Sequence, residues 1–123
     1  MKRFREAVEA SDIEALVQTL SPDIVFHSPV RFHGFEGRET VGTVLRAVMR
    51  VFEDFHYTGE LHDGNDTALV FRARVGKLEL EGIDLGTVDP STGLVKHLTV
   101  FVRPLSAAQA LAAAVGKELG LTS

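Results

Sequence analysis

A hairpin in the second half of the chain can be placed from its charged residues alone, and it constrains the fold more than any other feature. We take Gly76-Lys77 as a two-residue loop between two strands, because glycine favours the tight turns that join antiparallel neighbours. This register places two pairs of opposite charge on one face: Arg74 with Glu79, and Arg72 with Glu81. Such cross-strand pairs stabilise a sheet, so the charge pattern predicts the pairing residue by residue.

The other face of this hairpin is apolar except for one carboxylate. The same register pairs Val75 with Leu78, Ala73 with Leu80, Phe71 with Gly82, and Leu69 with Asp84. Because burial disfavours the charged form, we predict a raised pKa for Asp84 unless hydrogen-bond donors surround it. Such a group can donate a hydrogen bond or act as a general acid or base. Alternatively, a bulge at Gly82 or Gly86 would turn Asp84 toward solvent, or Asp84 would be a structural acceptor at the sheet rim.

The rest of the pattern predicts helices first, then an antiparallel meander, then a final helix, which is the order of an α+β domain. Helices are predicted over residues 2–10, from residue 11 to about 20, from 38 to about 52, and from 106 onward. Strands are predicted over residues 24–28, from 55 to about 62, and over 67–75, 78–88 and 94–103. We expect a single domain, 1–123.

Two capping boxes mark predicted helix starts. Ser11 with Glu14 opens the second helix, and Ser106 with Gln109 opens the alanine-rich last helix, since each serine precedes an acid or amide by three residues. The dipeptide Ser21-Pro22 is predicted to end the second helix.

Composition excludes several classes of function. The chain has no cysteine, which excludes disulfides and thiolate chemistry. Its formal net charge is -4, so the composition does not indicate a basic surface for nucleic acid. The first residues lack the apolar core of a signal peptide and no long apolar run follows, so we expect a cytoplasmic protein with no membrane partner. No phosphate-binding loop and no histidine pair with metal-ligand spacing occurs, so neither a cofactor nor a metal is expected.

Four segments in this order resemble the nuclear transport factor 2-like superfamily, especially its SnoaL-like polyketide-cyclase branch. They are residues 7–16 (AVEASDIEAL), 25–30 (VFHSPV), 37–41 (GRETV) and 80–85 (LEGIDL). The resemblance implies a cone of helices over a curved antiparallel sheet, with a C-terminal helix, in the cystatin-like manner. It also implies a largely apolar pocket for a small apolar ligand, often in a homodimer.

The resemblance also limits the chemistry. Where ketosteroid isomerases carry a base and a helix-one tyrosine, this chain has Ser28 and Phe4, and only the strand aspartate remains, as Asp84. Isomerisation by that mechanism is therefore not expected. The epoxide-hydrolase pattern is not met either, because Gly82 stands where an arginine is needed. SnoaL-like cyclases are more similar, and they imply Asp84 as the catalytic acid/base group.

The predicted pocket surrounds Asp84. Its expected ligand-binding residues are Phe4, Phe26, Ser28, Tyr57, Phe71, Leu98, Val100 and Val102. Tyr57 could donate a hydrogen bond to a ligand, although its position in a half-buried strand favours a packing role. His27 alternates with Phe26 and Ser28, which favours a packed or interface position, and whether His27 or His97 faces the pocket stays open. A homodimer through the outer sheet face, at His97 and its alternate neighbours, is expected.

Three functions remain open on the sequence. The first is acid/base catalysis of cyclase, isomerase or dehydratase type on a hydrophobic carbonyl compound. The second is a non-catalytic ligand carrier or sensor that uses the same pocket. The third is a dimeric interaction module whose interior is filled core.

Overall fold

The computed structural model describes residues 1–120, so the predicted domain end at 123 lies outside the described residues. The helices are α1 (Lys2–Glu9), α2 (Ile13–Gln18), α3 (Arg38–Val51) and α4 (Leu105–Glu118). The strands are β1 (Leu20–His27), β2 (Phe35–Glu36), β3 (Glu53–Asp63), β4 (Asp66–Val75), β5 (Leu78–Val88) and β6 (Val95–Arg103). The predicted α+β order is confirmed.

All six strands of the described chain form one curved sheet in the order β2-β1-β6-β5-β4-β3. Strands β3 to β6 form the predicted antiparallel meander, and β1 joins β6 in parallel. Strand β3 shifts register against β4 twice near its start, and Asp54 there has a φ of 53°. Bulges of this kind bend a strand, which helps the sheet to wrap around the helices.

The predicted register of the β4–β5 hairpin is confirmed at every pair, from Val75 opposite Leu78 to Leu69 opposite Asp84. The ladder between the two strands is continuous, so the alternative bulge at Gly82 or Gly86 is wrong for this hairpin. On the outer face, the Arg72–Glu81 pair lies at 3.7 Å.

The second predicted ion pair is not formed as expected. Arg74 lies opposite Glu79 in the ladder, but its guanidinium binds Glu53 and Asp54 on β3. The neighbouring strand, which places two carboxylates beside one guanidinium, competes successfully with the cross-strand partner. The charge pattern therefore identified the strand pairing but not the final ion pairs.

Both predicted capping boxes are wrong. The cap of α2 is Asp12, whose side chain accepts a hydrogen bond from the Ala15 amide at 3.1 Å. Ser11 instead has a φ of 53° in the tight connection before it. Helix α4 begins at Leu105 after Pro104, with no side-chain cap, because proline has no side-chain oxygen to accept from the amides of the first turn.

The helix end predicted at Ser21-Pro22 is also wrong. Helix α2 ends at Gln18, and Ser21-Pro22 lie inside β1, which begins four residues before the predicted strand. Proline is tolerated there because β1 is paired irregularly with β6 over this stretch. The short strand β2 was not predicted.

The apolar side chains form two clusters on the concave side of the sheet. The larger one joins α1, α2 and α3 to β1 and β6 around Leu16, Leu20 and Leu98. The smaller one lies under the start of α4, where Ala107 covers Phe71 and Leu80. Among residues 1–120, no helix has the length and apolarity to span a bilayer.

Candidate functional site

A cavity of about 660 Å³ lies between the concave face of the sheet and the helices. This size suits a drug-sized small molecule. Apolar side chains from three helices line most of its wall: Phe4 and Val8 of α1, Val44, Leu45 and Val48 of α3, and Leu111, Ala112 and Val115 of α4. The cavity is therefore largely apolar and is enclosed in part by the last helix.

Asp84 lies in this apolar wall. It sits between Leu69 of β4 and Val100 of β6, and it is 8% exposed. Burial raises the pKa of the Asp84 carboxyl to about 7, and a hydrogen bond from Tyr57 opposes part of that rise. The predicted rise in pKa is confirmed, and its cause is the loss of hydration of the charged form. Near neutral pH the group is present in both protonation states.

Tyr57 is the hydrogen-bond partner of Asp84. Its hydroxyl donates to Oδ2 of Asp84 at 3.2 Å, although the two residues are on β3 and β5 with β4 between them. Burial, and next the negative charge of Asp84, raise the pKa of Tyr57. The phenol therefore keeps its proton and donates it in a hydrogen bond to one of the two carboxyl oxygens of Asp84.

Replacing Tyr57 with phenylalanine is expected to raise the pKa of Asp84 further, because the Tyr57 hydrogen bond favours the ionised carboxylate. A carboxyl-carbon NMR titration of Asp84 measures this. Thr58→Val, on the exposed face of the same strand, is the matched control and should leave the pKa unchanged. An equal or lower pKa in Tyr57→Phe would contradict the assignment of the donor.

Ser28 follows the last residue of β1 and also lines the cavity. The parallel register pairs Phe26 with Leu98 and His27 with Thr99, and its continuation places Ser28 beside Val100. Asp84 and Ser28 thus flank Val100 across three strands, about 10 Å apart at two strand spacings. Within residues 1–120, the buried Ser28 hydroxyl has no hydrogen-bond partner.

The structure divides the residues expected to bind a ligand. Phe4, Phe26, Ser28, Leu98 and Val100 line the cavity together with Asp84. Three others do not line it: Tyr57, which contacts Asp84, and Phe71 and Val102, which pack in the cluster under α4.

Neither histidine left open by the sequence lines this cavity. His27 is half-buried, with its ring beside Gly34, and His97 is exposed on the outer face of the sheet. In the described part of the chain, no group of three histidine or acidic side chains is arranged to hold a metal ion.

Sequence reasoning missed the polar mouth of the cavity, which is formed by Glu9, Ser11, Arg31, Asp54 and His56. Arg31 follows the Pro29-Val30 turn, and its guanidinium lies 4.2 Å from the centre of the Phe35 ring. The signal in the sequence for Arg31 was the proline turn directly after Ser28, because such a turn folds the chain back toward the strand.

Solved structures share this fold. A steroid delta-isomerase from Pseudomonas aeruginosa is 37% identical, with a TM-score of 0.92, and the match covers 97% of this chain and 88% of that one. A protein of cystatin-like fold from Silicibacter pomeroyi is 32% identical, with a TM-score of 0.91, and the match covers 97% and 84%. The chain thus has the cystatin-like fold.

The family can be stated more narrowly. The SnoaL-like domain model matches residues 1–102, and the chain belongs to this family. A comparison with curated proteins finds no match.

Proposed function

We propose that this protein binds a hydrophobic carbonyl compound in the cavity and transfers a proton on it, with Asp84 as the acid/base group. The observation that carries the proposal is a carboxyl in an apolar cavity wall whose pKa is raised to about 7 by burial. A catalytic acid or base works best when its pKa lies near the operating pH. Asp84 can therefore both give and take a proton.

The chemistry requires only one such group. The ionised carboxylate takes a proton from the carbon next to the carbonyl, and the electron pair of that C–H bond moves onto the carbonyl oxygen as an enolate. The protonated carboxyl then returns the proton to another carbon, or the enolate carbon attacks a second carbonyl and the alkoxide takes the proton. These steps are of isomerase and cyclase type and consume no oxidant or reductant.

The residues beside Asp84 narrow the substrate. Phe4 and Ser28 supply no second carboxylate and no phenol to the cavity wall. With no further acid or phenol at these two positions to stabilise an enolate, Asp84 can remove only a proton that is already acidic, so the substrate is a ketone such as a β-dicarbonyl compound. Similarity to a steroid delta-isomerase supports proton transfer as the reaction type, without extending the substrate of that protein to this chain.

A non-catalytic carrier or sensor is the second candidate, and the absence of a second acid at Ser28 and of a phenol at Phe4 favours it. In that case Asp84 and Tyr57 only orient a carbonyl or hydroxyl group by hydrogen bonds. Both candidates share the cavity and the ligand class, and they differ in turnover alone.

We also propose that the protein forms a homodimer through the outer face of the sheet. Ile83, Leu85 and Phe101 are exposed there on β5 and β6, and Ile83 and Phe101 are cross-strand partners. Large exposed apolar side chains that adjoin one another are typical of protein interfaces.

Naphthol, a neutral phenol of suitable size, is expected to raise the melting temperature of the wild type by several degrees at about pH 6, where most Asp84 is protonated. Asp84→Leu should lose this shift because it removes the hydrogen bond to the phenol. Asp63→Leu, at the exposed end of β3, is the matched control and should keep it.

An equal shift of the melting temperature in wild type and Asp84→Leu would overturn the role of Asp84.

Turnover distinguishes the enzyme from the non-catalytic carrier. A β-diketone in deuterated water should exchange its α-protons faster with the wild type than with Asp84→Asn, by about 100-fold or more for a lost general base. Equal exchange rates would leave the carrier as the function.

A further inference from the structure

Among residues 1–120, Arg31 is the one arginine or lysine that lines the cavity. Its guanidinium stacks on the Phe35 ring at 4.2 Å. In this part of the chain no carboxylate forms a salt bridge with it. A guanidinium that stacks on an aromatic face keeps its N–H groups free at the edge of its plane. Arg31 therefore presents an unmatched positive charge and several donors at the mouth.

The acidic groups at the mouth bind guanidiniums other than that of Arg31, and each of these guanidiniums also binds a second carboxylate, Glu60 for Arg5 and Glu53 for Arg74. Glu9 lies 3.4 Å from the Arg5 guanidinium, and Asp54 lies 2.8 Å from that of Arg74. The His56 ring nitrogen Nδ1 lies 3.0 Å from the backbone oxygen of Asp54. Neither of these acids forms a salt bridge with Arg31 in the described part of the chain, so the Arg31 guanidinium is available to an anionic group of a ligand.

A second donor, Ser28, lies three residues before Arg31 and also lines the cavity. Ser28 and Arg31 bracket the Pro29-Val30 turn, which keeps their Cα atoms within about 7 Å. The Ser28 hydroxyl is buried and has no partner among the described residues, and an unsatisfied buried donor is unfavourable. A group that accepts hydrogen bonds in this corner would satisfy both side chains.

We infer that the ligand of this cavity is an apolar acid whose carboxylate is bound at the mouth by Arg31, with Ser28 as a neighbouring donor. The inference rests on the proposed function, which places the carbonyl or hydroxyl group of the same ligand at Asp84. The ligand then has a polar group at each end of an apolar body. Its inner end is bound by Asp84, and its outer carboxylate reaches the rim.

A matched set of three probes tests this: naphthol, a hydroxynaphthoic acid with its two polar groups on opposite ends, and the methyl ester of that acid. Titration at about pH 6 keeps the acid ionised and the phenols neutral. The wild type should bind the acid about ten-fold or more tightly than the ester, as expected for a hydrogen-bonded charge pair. Arg31→Gln should bind the two equally and bind naphthol as the wild type does.

The control is Arg72→Gln, which removes a guanidinium from the outer face of the sheet and should keep the preference for the acid. Equal binding of acid and ester by the wild type would overturn the inference, and so would a preference for the acid that survives in Arg31→Gln. In either case, binding of naphthol would still support the proposed function. Failure of all three probes to bind would overturn both.

Discussion

Asp84→Asn is expected to be more stable than the wild type at pH 8 and to lose that advantage as the pH falls toward 4. The pKa of Asp84 is 3.8 in an unfolded chain and about 7 in the folded one. A folded-state pKa above the unfolded value means that stability is fully present below 3.8 and is lost as the pH rises toward 7. The full difference corresponds to about 4 kcal/mol.

Urea denaturation of both proteins at several pH values between about 4 and 8 measures this difference. The quantity to compare is the difference between the free energies of unfolding of the two proteins at each pH. Other carboxyls also titrate, but they do so in both proteins. Glu60 is one example, since hydrogen bonds from Arg5 and His62 lower its pKa. Asp63→Asn at an exposed position should show a gap that stays constant with pH. A constant gap for Asp84→Asn would mean that the folded protein hydrates this carboxylate.

The expected gap bears on function. A carboxyl that lowers stability at neutral pH is not explained by packing, since asparagine has nearly the same shape. The Tyr57 hydrogen bond offsets part of the penalty but does not remove it. Buried groups that lower stability are common at sites where binding or catalysis needs them, which is the physical basis for treating Asp84 as the functional residue.

The sequence was most informative where one interaction excluded the alternatives. The hairpin register follows from the charge pairs together with the alternation, because a slip by one residue would bring Asp84 to the outer face and expose Leu69. Both residues lie where the register places them. The helix starts were not determined in this way, since Ser11 and Asp12 are adjacent and either can cap a helix.

The composition of the pocket depended on tertiary packing that no local pattern encodes. Phe71 and Val102 face the concave side as expected, but α4 covers that part of the sheet and places them in a separate cluster. One face of a long strand is larger than one cavity, so facing inward does not imply lining the pocket. Arg31 was missed because it lies in a loop, where no helical or strand periodicity indicates the direction of a side chain.

Gly82→Ala is expected to destabilise the protein by roughly 3 kcal/mol, the upper range for inserting a methyl group into a packed site. A Cβ at this position would lie 2.3 Å from Cζ of Phe71 and 2.6 Å from the backbone oxygen of Phe101. The Phe71 ring is held by Phe52 and Phe55, and the backbone oxygen belongs to the neighbouring strand. The ring is therefore confined on two sides, and the oxygen cannot move without disturbing the pairing of β5 with β6.

The matched control is Gly59→Ala on β3, where the new Cβ would lie 3.7 Å from Val70 in ordinary contact. That change should alter the free energy of unfolding by about 0.5 kcal/mol or less. Because Gly82 precedes Asp84 by two residues on the same strand, Gly82→Ala should also weaken naphthol binding, and Gly59→Ala should not. Equal urea midpoints for the two variants would show that the Phe71 ring and the β6 backbone make room for the added methyl group, and would contradict the prediction.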